Sequence, residues 1–441
     1  MSYAREIERA LKKAGCAAGD RVRVEREGEV YEGILLPRIE AGDPSVLVLK
    51  LDNGYNIGIA FAGAKVTLVK KGRPVVFKPA AQPRAEEKHI AILGCGGTIA
   101  SRVEYTTGAV FPAFSPGDLL LSFPELRGMA SFSGRKLFDL LSEDMTPAHW
   151  QVIAREVAKE IKAGAQGVVL THGTDTMGYT AAALSFMLRN LPVPVVLVGS
   201  MRSSDRGSSD NAMNLVCSVV AAQSDCAEVG VCMHATLNDD YCFLHRGTRV
   251  RKLHTSRRDA FKSVNARPLA RIWYRERRFE GMADYRKRDE KRQLELDDRI
   301  NPKVGLIWVH PGISPKFVEK LADFYDGVVF AGTGLESALP TNPFRDRLAI
   351  SLVPALKSLI ASGVAVVLAP QTLFGRINLN VYTTGRTLKA LGAIGDGCDW
   401  LPETALVKLA WVLGHTRELK KVEAMMLTNY AGEISTRSLI E

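Results

Sequence analysis

The chain has 441 residues, of which 46% are hydrophobic and 24% charged, and it carries a formal net charge of +10. This length allows two or three domains with full cores, and the composition is ordinary for a soluble globular protein. Seven cysteines without a C-x-x-C pair favour reduced thiols over a disulfide framework or a metal site. No apolar run reaches the roughly 20 residues that span a bilayer, and the start of the chain lacks a signal-peptide core, so we expect an intracellular, cytoplasmic protein.

The residues up to about 77 are predicted to form a separate small module. Apolar residues at helical spacing predict a helix over residues 3–14, which ends at Gly15. Five short alternating segments follow at residues 21–27, 30–36, 45–51, 55–61 and 65–70. The hairpin signal DNG at residues 52–54 joins two of them. Short strands closed by tight turns predict a small β-barrel, and the polar, Pro/Ala-rich residues 78–87 are predicted to be a linker.

Beyond the linker, strands alternate with helices in a larger part, residues 88–299, and a smaller part, residues 300–441. In the larger part a helix is predicted to begin at Thr146-Pro147 and to end by Gly164. The same patterns predict buried strands at residues 89–93, 167–170, 194–199, 304–309, 327–331 and 364–369, and an amphipathic helix at 401–413. Such alternation predicts an α/β fold with parallel sheets and crossover helices in both parts.

Two short loops carry the strongest functional signal, GCGGTIA at residues 94–100 and HGTDT at residues 172–176. Each follows a β-branched apolar run, so each is predicted to be the turn at the carboxyl end of a parallel strand, where ligands of open α/β sheets bind. The loops present the hydroxyls of Thr98 and Thr174 among backbone N–H groups, and the second loop adds the carboxylate of Asp175. Two hydroxyls and an acid in one crevice indicate acyl-transfer chemistry on a small polar substrate.

These loops have four other interpretations: a dinucleotide-binding loop, a P-loop, a thiol nucleophile and a helix cap. A dinucleotide-binding fingerprint requires glycine or alanine where the first loop has Ile99, and a phosphate-binding P-loop requires Gly-Lys-Ser/Thr, which residues 133–136 lack. Cys95 would be a thiol nucleophile only beside a base, and none is recognisable. Thr174 and Asp175, taken alone, could simply cap a helix.

Five separated motifs, in order, resemble those of bacterial-type L-asparaginases from about residue 88 to about residue 414. They are the two loops, YTTG at 105–108, LSEDM at 141–145, and RKLHT at 251–255 followed by DAFKS at 259–263. The resemblance implies that Thr98 is the attacking hydroxyl and that Tyr105 approaches it on a mobile lid. It also implies a second catalytic group of Thr174, Asp175 and Lys252. Which threonine attacks first is left open; a lysine acts as a base only after losing its proton, which neighbouring arginines favour and Asp175 opposes.

The resemblance further implies an amino-acid amide as the substrate. Ser142, with loop N–H groups to which Gly97 and Gly173 contribute, would bind the α-carboxylate. Asp175, and with it Glu143, would bind the α-ammonium group. The family usually completes its pocket from a second protomer, which implies a homodimer. Residues 370–375 and 382–385 match a comparable segment of cytosolic asparaginases more loosely.

An asparaginase-like body behind a small β-barrel resembles the D subunits of archaeal-type glutamyl-tRNA(Gln) amidotransferases. This second resemblance implies an amidase that releases ammonia from glutamine or asparagine. A partner E subunit would use that ammonia to convert Glu-tRNA(Gln) to Gln-tRNA(Gln), in a heterotetramer. No cofactor is expected in this chain, and ATP and Mg²⁺ are expected to be used by the partner. A stand-alone L-asparaginase is the alternative, and a non-catalytic scaffold is a remote one.

The positive charge is partly local, since six basic residues crowd the segment 246–258 and a second, mixed-sign run covers residues 275–292. Nucleic acid is one explanation and a solvated basic surface is another. The chain has no RRM or KH signature, so the E subunit could carry most of the contact with tRNA.

Overall fold

The structure is a computed structural model that describes residues 3–36, 43–52, 56–72, 88–96, 101–103, 110–112, 123–202 and 208–437. Within these ranges no helix is both long and apolar enough to cross a bilayer. The seven cysteines lie in the described ranges, and all of them are free and buried.

The N-terminal module contains one helix, α1 (Arg5–Lys13), and five strands: β1 (Arg21–Arg26), β2 (Glu29–Leu35), β3 (Val46–Lys50), β4 (Asn56–Ala60) and β5 (Lys65–Lys70). The strands form an antiparallel sheet in the order β4-β3-β2-β1-β5. Alternate residues of β1, Val22 and Val24, are fully buried against Ile7 and Leu11 of the helix. The predicted helix and all five predicted strands are confirmed, whereas the barrel stays a prediction because the described pairings leave β4 and β5 as sheet edges.

The larger part is built on an eight-stranded sheet in the order β18-β17-β14-β13-β12-β10-β6-β9. Its strands are β6 (His89–Gly94), β9 (Ser131–Lys136), β10 (Val168–Thr171), β12 (Val195–Val198), β13 (Val229–His234), β14 (Tyr241–Arg246), β17 (Ala270–Trp273) and β18 (Arg278–Gly281). The helices are α2 (Pro147–Lys162), α3 (Met177–Met187) and α4 (Asn211–Gln223).

Five neighbouring strands of this sheet are parallel, as the strand–helix alternation predicts; in spatial order they are β9, β6, β10, β12 and β13. Helices α2 and α3 cover one face of this sheet and α4 covers the other, which explains why β10 and β12 are buried on both sides. The alternation did not predict the three antiparallel strands at one edge. The connection from β13 to β14 is too short for a crossover helix, so these strands form a hairpin.

Three pairs of short strands complete the larger part. They are β7 (Ser101–Val103) with β8 (Val110–Pro112), β11 (Leu188–Arg189) with β19 (Glu295–Leu296), and β15 (Val250–Lys252) with β16 (Phe261–Ser263). The last pair is the one that carries Lys252.

The smaller part has a parallel three-stranded sheet of β20 (Val304–Trp308), β21 (Gly327–Gly332) and β22 (Ala365–Pro370). Its helices are α5 (Pro315–Lys320), α6 (Val353–Ala361), α7 (Thr383–Ala390), α8 (Pro402–Leu413) and α9 (Leu419–Leu427). Residues of α8 share one hydrophobic cluster with α3 of the larger part. A buried ion pair adds to this contact, since Nη2 of Arg249 lies 3.0 Å from Oδ1 of Asp399 and neither side chain is more than 1% exposed.

The order of the strands defines a crevice at one edge of the main sheet. Strands β6 and β10 are hydrogen-bonded neighbours, but the chain runs from β6 to β9 on one side and from β10 to β12 on the other. The connections that leave β6 and β10 therefore run in opposite directions from the carboxyl ends of these two strands. Such a place is called a switch point, and open α/β sheets bind their ligands there. Both predicted catalytic loops begin there.

Candidate active site

The turns after β6 and β10 begin side by side, because Gly94 and Thr171 are paired in the sheet and Cys95 N–H donates to the Thr171 carbonyl at 2.8 Å. The first turn requires its second glycine: Gly96 has a φ of +94°, and a Cβ there would lie 2.1 Å from the Leu140 carbonyl oxygen. The rest of this loop, with Gly97 and Thr98, and the lid residue Tyr105 lie outside the described residues, so their roles stay predictions.

The second turn brings three predicted catalytic residues together. Nζ of Lys252 lies 2.9 Å from Oγ1 of Thr174 and 2.8 Å from Oδ1 of Asp175. Thr174 is buried, Lys252 is 16% exposed, and Asp175 is 65% exposed. The ammonium group thus bridges a protected hydroxyl and a carboxylate that faces the solvent. This arrangement places a lysine, which can accept a proton only in its neutral form, beside a hydroxyl, and it places a negative charge at the entrance.

Lys252 reaches this position through the β15–β16 hairpin. Lys252 pairs with Phe261, and Leu253 N–H donates to the Ala260 carbonyl at 2.7 Å. Val250 and Phe261 are buried in the same core as α3, which anchors the hairpin next to the turn after β10. The core thereby fixes the lysine 78 residues downstream of the threonine.

The segment predicted to bind the α-carboxylate packs against both turns. Ser142 lies in a short 3₁₀ turn, Ser142–Asp144, and its carbonyl accepts a hydrogen bond from the Thr176 hydroxyl at 2.6 Å. A Cβ on Gly173 would lie 2.7 Å from Cβ of Ser142, so only glycine allows this approach. Ser142 is buried beside the second turn, whereas Glu143 is exposed. The structure brings Ser142 and Gly173 together, and the binding roles of both and of Glu143 stay predictions.

A series of buried hydrogen bonds, which the sequence reasoning missed, supports the second turn. Nε1 of Trp150 donates to Oγ1 of Thr180 at 3.1 Å, and the Thr180 hydroxyl lies 2.9 Å from Nε2 of His172. Nδ1 of His172 lies 2.7 Å from the Gly173 carbonyl oxygen. Burial lowers the pKa of His172 to about 4, so the imidazole is neutral at pH 7 and carries its proton on Nδ1.

This series of hydrogen bonds fixes the direction of the peptide group between Gly173 and Thr174. Because the peptide bond is planar and trans, a Gly173 carbonyl that points to His172 directs the Thr174 N–H to the opposite side. The turn is therefore held by His172, Thr180 and Trp150, all three of which are buried. The signal in the sequence was the single threonine Thr180 among apolar residues on α3.

The two alternative interpretations of these residues do not fit the structure. The N-cap residue of α3 is Thr176, and its hydroxyl donates to Ser142; Thr174 instead accepts from Lys252. Cys95 is 1% exposed, and burial raises the pKa of its thiol to about 12, so it would not ionise near neutral pH.

Most basic residues of the segment 246–258 are neutralised within the chain. Five arginines of this segment each contact a carboxylate: Arg246 with Glu228, Arg249 with Asp399, Arg251 with Glu403, Arg257 with Asp259 and Arg258 with Asp239. In the run 275–292, Lys287 likewise pairs with Asp225 and Arg288 donates to the Gln166 carbonyl. The segment 246–258 therefore stabilises the fold, and it presents much less free charge than its sequence indicates.

A cavity of about 1020 Å³ lies away from these turns, at the amino end of β13. It is lined by residues that include Arg267, Arg286 and Arg437, for which the described part of the chain provides no carboxylate partner. The catalytic turns are at the carboxyl edge of the same sheet, so this cavity is not part of the site around Lys252.

Solved structures with this fold define the class of the protein. The thermostable L-asparaginase from Thermococcus kodakarensis is 32% identical, with a TM-score of 0.68 that covers 79% of this chain and 100% of that chain. L-asparaginase I from Vibrio cholerae is also 32% identical, with a TM-score of 0.66 over 79% of this chain and 99% of that chain. Together with the threonine, aspartate and lysine at the switch point, this places the chain in the asparaginase class of α/β proteins.

Family models and full-length relatives narrow this class. The chain matches "Asparaginase, N-terminal" over residues 89–284, "Glutaminase/Asparaginase C-terminal domain" over 303–426, and "GatD N-terminal domain" over 16–69. The D subunit of the glutamyl-tRNA(Gln) amidotransferase of Pyrococcus furiosus is 51% identical over 439 residues, 97% of each chain. Its counterpart in Methanothermobacter thermautotrophicus is 46% identical over 448 residues, 100% of this chain and 99% of that protein. The chain belongs to the family of glutamyl-tRNA(Gln) amidotransferase D subunits.

Proposed function

We propose that this chain is the amidase subunit of a tRNA-dependent amidotransferase. It releases ammonia from glutamine or asparagine, and a partner E subunit uses the ammonia to convert Glu-tRNA(Gln) to Gln-tRNA(Gln). The observation that carries the proposal is the contact of Lys252 with Thr174 and Asp175 at the switch point of the main sheet. The N-terminal module, which matches the D-subunit family over residues 16–69, favours this role over that of a stand-alone asparaginase.

The chemistry requires a nucleophile, a base and donors for the developing oxyanion. Thr98 supplies the attacking hydroxyl, assisted by Tyr105 from the lid, and Thr174 supplies the second hydroxyl. In its neutral form, Lys252 accepts the proton of the Thr174 hydroxyl at the 2.9 Å distance between the two groups. The backbone N–H of Thr174, held in direction by His172, is the oxyanion donor that this arrangement favours.

The charges at the entrance fit an amino-acid amide. The exposed carboxylate of Asp175, and with it Glu143 in the role predicted above, takes the α-ammonium group. Ser142 and the N–H groups of the two turns take the α-carboxylate, because backbone donors freed by Gly97 and Gly173 suit an anion. The carboxamide then points to the two threonines. We expect catalysis within this chain to use no cofactor, and we expect the partner subunit to use ATP and Mg²⁺.

A homodimer is part of this proposal. Four large apolar side chains, at 44–62% exposure, lie beyond the carboxyl ends of β21 and β22: Leu335, Phe374, Val381 and Tyr382. A hydrogen bond from Asn378 N–H to the Leu335 carbonyl, at 2.9 Å, holds the two loops together. A second copy would cover this surface, which includes the segments 370–375 and 382–385 that resemble cytosolic asparaginases. Two copies of each subunit make a cytoplasmic heterotetramer.

We assign most of the contact with tRNA to the E subunit. The pairing of the arginines in the segment 246–258 supports this division, because a neutralised guanidinium contributes little to phosphate binding.

Reconstitution tests the function. The isolated chain is expected to hydrolyse glutamine slowly, since an ammonia-supplying subunit should close its lid productively only in the assembled complex. Adding the E subunit with Glu-tRNA(Gln) should raise ammonia release and produce Gln-tRNA(Gln). Rapid amide hydrolysis by the isolated chain, unchanged by partner and tRNA, would instead identify a stand-alone asparaginase.

A further inference from the structure

Two apolar side chains stand almost fully in solvent on one loop of the smaller part. Phe344 and Leu348 are each 94% exposed, although both are large hydrophobic residues. They lie between β21 and α6, in the loop of residues 341–351. A single exposed apolar residue is ordinary, but two that lie four positions apart on one loop and contact no core indicate a binding surface.

The loop is held rigid by its own polar residues. Asn342 Nδ2 donates to the carbonyls of Asp346 and Ala349, at 2.9 and 3.2 Å. Oδ1 of Asn342 accepts from Asp346 N–H at 2.9 Å, and Oδ1 of Asp346 accepts from the N–H groups of Leu348 and Ala349 at 2.8 and 3.1 Å. These bonds close the loop upon itself, so the two apolar side chains are presented in a fixed arrangement.

The base of the loop is anchored in the core. Leu339 and Leu352 are buried in the cluster that fills the smaller part, and Leu352 N–H donates to the Pro340 carbonyl at 2.8 Å. The loop therefore cannot fold back to bury Phe344 and Leu348 without breaking both the anchor and its internal bonds. Such a preorganised surface loses little conformational entropy when a partner covers it.

The charges beside the apolar tips select the kind of partner. Arg345 and Arg347 lie between Phe344 and Leu348, on either side of Asp346, and both arginines are exposed without a carboxylate partner in the described part of the chain. A two-fold contact between this loop and the same loop of a second copy would set the two arginines against their own counterparts, and like charges repel. A surface that combines apolar pockets with acidic residues is complementary to the loop.

We propose that the loop of residues 341–351 docks the amidotransferase E subunit, with Phe344 and Leu348 in apolar pockets that acidic residues surround. This inference rests on the proposed function and adds the surface through which the two subunits associate. It places one contact of the partner at the carboxyl edge of the smaller sheet.

The test measures complex formation between the full-length chain and its purified E subunit. The double variant Phe344→Ser/Leu348→Ser is expected to bind the E subunit at least tenfold more weakly, since removing central apolar anchors has effects of this size. The Arg345→Glu/Arg347→Glu variant should also bind more weakly, with a smaller dependence of Kd on salt than the wild-type chain. The matched control is Phe324→Ser, which removes a 67% exposed phenylalanine that precedes β21 at the opposite edge of the same sheet.

Thermal unfolding and molar mass are measured on every variant. Unchanged Tm and an unchanged mass of the D-subunit oligomer, together with weaker binding of the E subunit, support the proposal. Wild-type affinity of the Phe344→Ser/Leu348→Ser variant overturns the docking surface while leaving the proposed function intact. Dissociation of the D-subunit oligomer in this variant, without the E subunit, identifies a second copy as the occupant and overturns the proposal. Failure of the wild-type chain to bind any E subunit would count against the proposed function itself.

Discussion

Nζ of Lys252 lies 2.9 Å from Oγ1 of Thr174, although the two residues are 78 positions apart and belong to different elements of the larger part. The threonine is placed by the turn after β10 and the lysine by the β15–β16 hairpin, and both elements are anchored in one core. An amine at this distance can take or return the hydroxyl proton directly. We therefore expect the pair to act as one unit, so that the loss of either member removes the function of the other.

The first prediction concerns this unit. Thr174→Val and Lys252→Met, like Thr98→Ala and Asp175→Asn, should each lower amidase activity at least about a hundredfold in the assembled complex. The Thr174→Val/Lys252→Met double variant should be little worse than either single one, because residues that act together are not additive. Ammonia release from glutamine is the measurement. Lys262→Met is the control, since Lys262 lies on the same hairpin but contacts Asp259. Near-wild-type hydrolysis by folded Thr174→Val would refute the assignment.

The second prediction concerns the support of the turn by Thr180. Thr180→Val has the shape of threonine without its hydroxyl, so it leaves the Trp150 N–H and Nε2 of His172 unpaired in a buried site. We expect a loss of about 1–3 kcal/mol in the free energy of unfolding. We also expect a fall in kcat that is larger than the change in KM, because the Thr174 N–H loses its fixed direction.

Thr180→Ser is the matched variant, since it restores the hydroxyl with less apolar volume. It should recover most of the kcat that Thr180→Val loses, even if part of the stability loss remains. Urea unfolding and steady-state kinetics on both variants separate the two effects. Equal kcat values for Thr180→Val and Thr180→Ser would show that the hydroxyl only stabilises the fold.

The third prediction is a pH dependence of stability to which the buried histidines His172 and His245 contribute. Burial lowers the pKa of His172 to about 4 and that of His245 to about 3, below the ordinary value of 6.5. The unfolded chain binds these two protons as the pH falls below 6.5, whereas the folded chain does not until it reaches those lower values. Stability is therefore complete above pH 6.5 and falls towards pH 4, by about 1.4 kcal/mol per pH unit for each histidine.

The variant His245→Asn isolates one of these contributions. Between pH 6.5 and pH 5, the wild-type chain should lose about 2 kcal/mol more of its free energy of unfolding than this variant does. The exposed His310→Asn serves as the control and should follow the wild-type chain. Urea unfolding at the two pH values gives the comparison. Parallel losses in the wild-type chain and His245→Asn would show that the buried imidazole does not contribute.

The local features of this fold were predictable because they depend on neighbours in sequence. Glycine and β-branched residues define the turns after β6 and β10, and alternating residues define the strands of the N-terminal module. The direction of β14 was not predictable from strand–helix alternation, because it depends on how the short connection from β13 turns back. The same holds for the exposed loop with Phe344 and Leu348, which has no periodicity.

The site shows the same division between local and long-range information. Thr174 and Asp175 could be singled out from their turn, but only the family resemblance indicated Lys252, since spacing alone cannot predict a contact across 78 residues. The hydrogen bonds from Trp150 through Thr180 to His172 join α2, α3 and a turn. In the sequence, each of these residues also has an ordinary structural explanation, so none of them indicates the others. The basic segment 246–258 was partly misleading, because its carboxylate partners are distant in sequence.

The last prediction concerns the N-terminal module. Among the residues that the structure describes, its hydrophobic cluster consists of residues between Tyr3 and Leu68, the clusters of the body begin beyond residue 88, and the two cores share no side chain. Deleting residues up to about 77 should therefore leave a soluble body that keeps its Tm, dimerises and binds an amide substrate. The same deletion should weaken binding of the E subunit or tRNA and lower the formation of Gln-tRNA(Gln). If the truncated chain aggregates or melts early, the module only covers an apolar face of the body. If the truncated chain supports full tRNA-dependent amide transfer, the module has no docking role, and the main sequence feature that distinguishes this chain from a plain asparaginase loses its functional meaning.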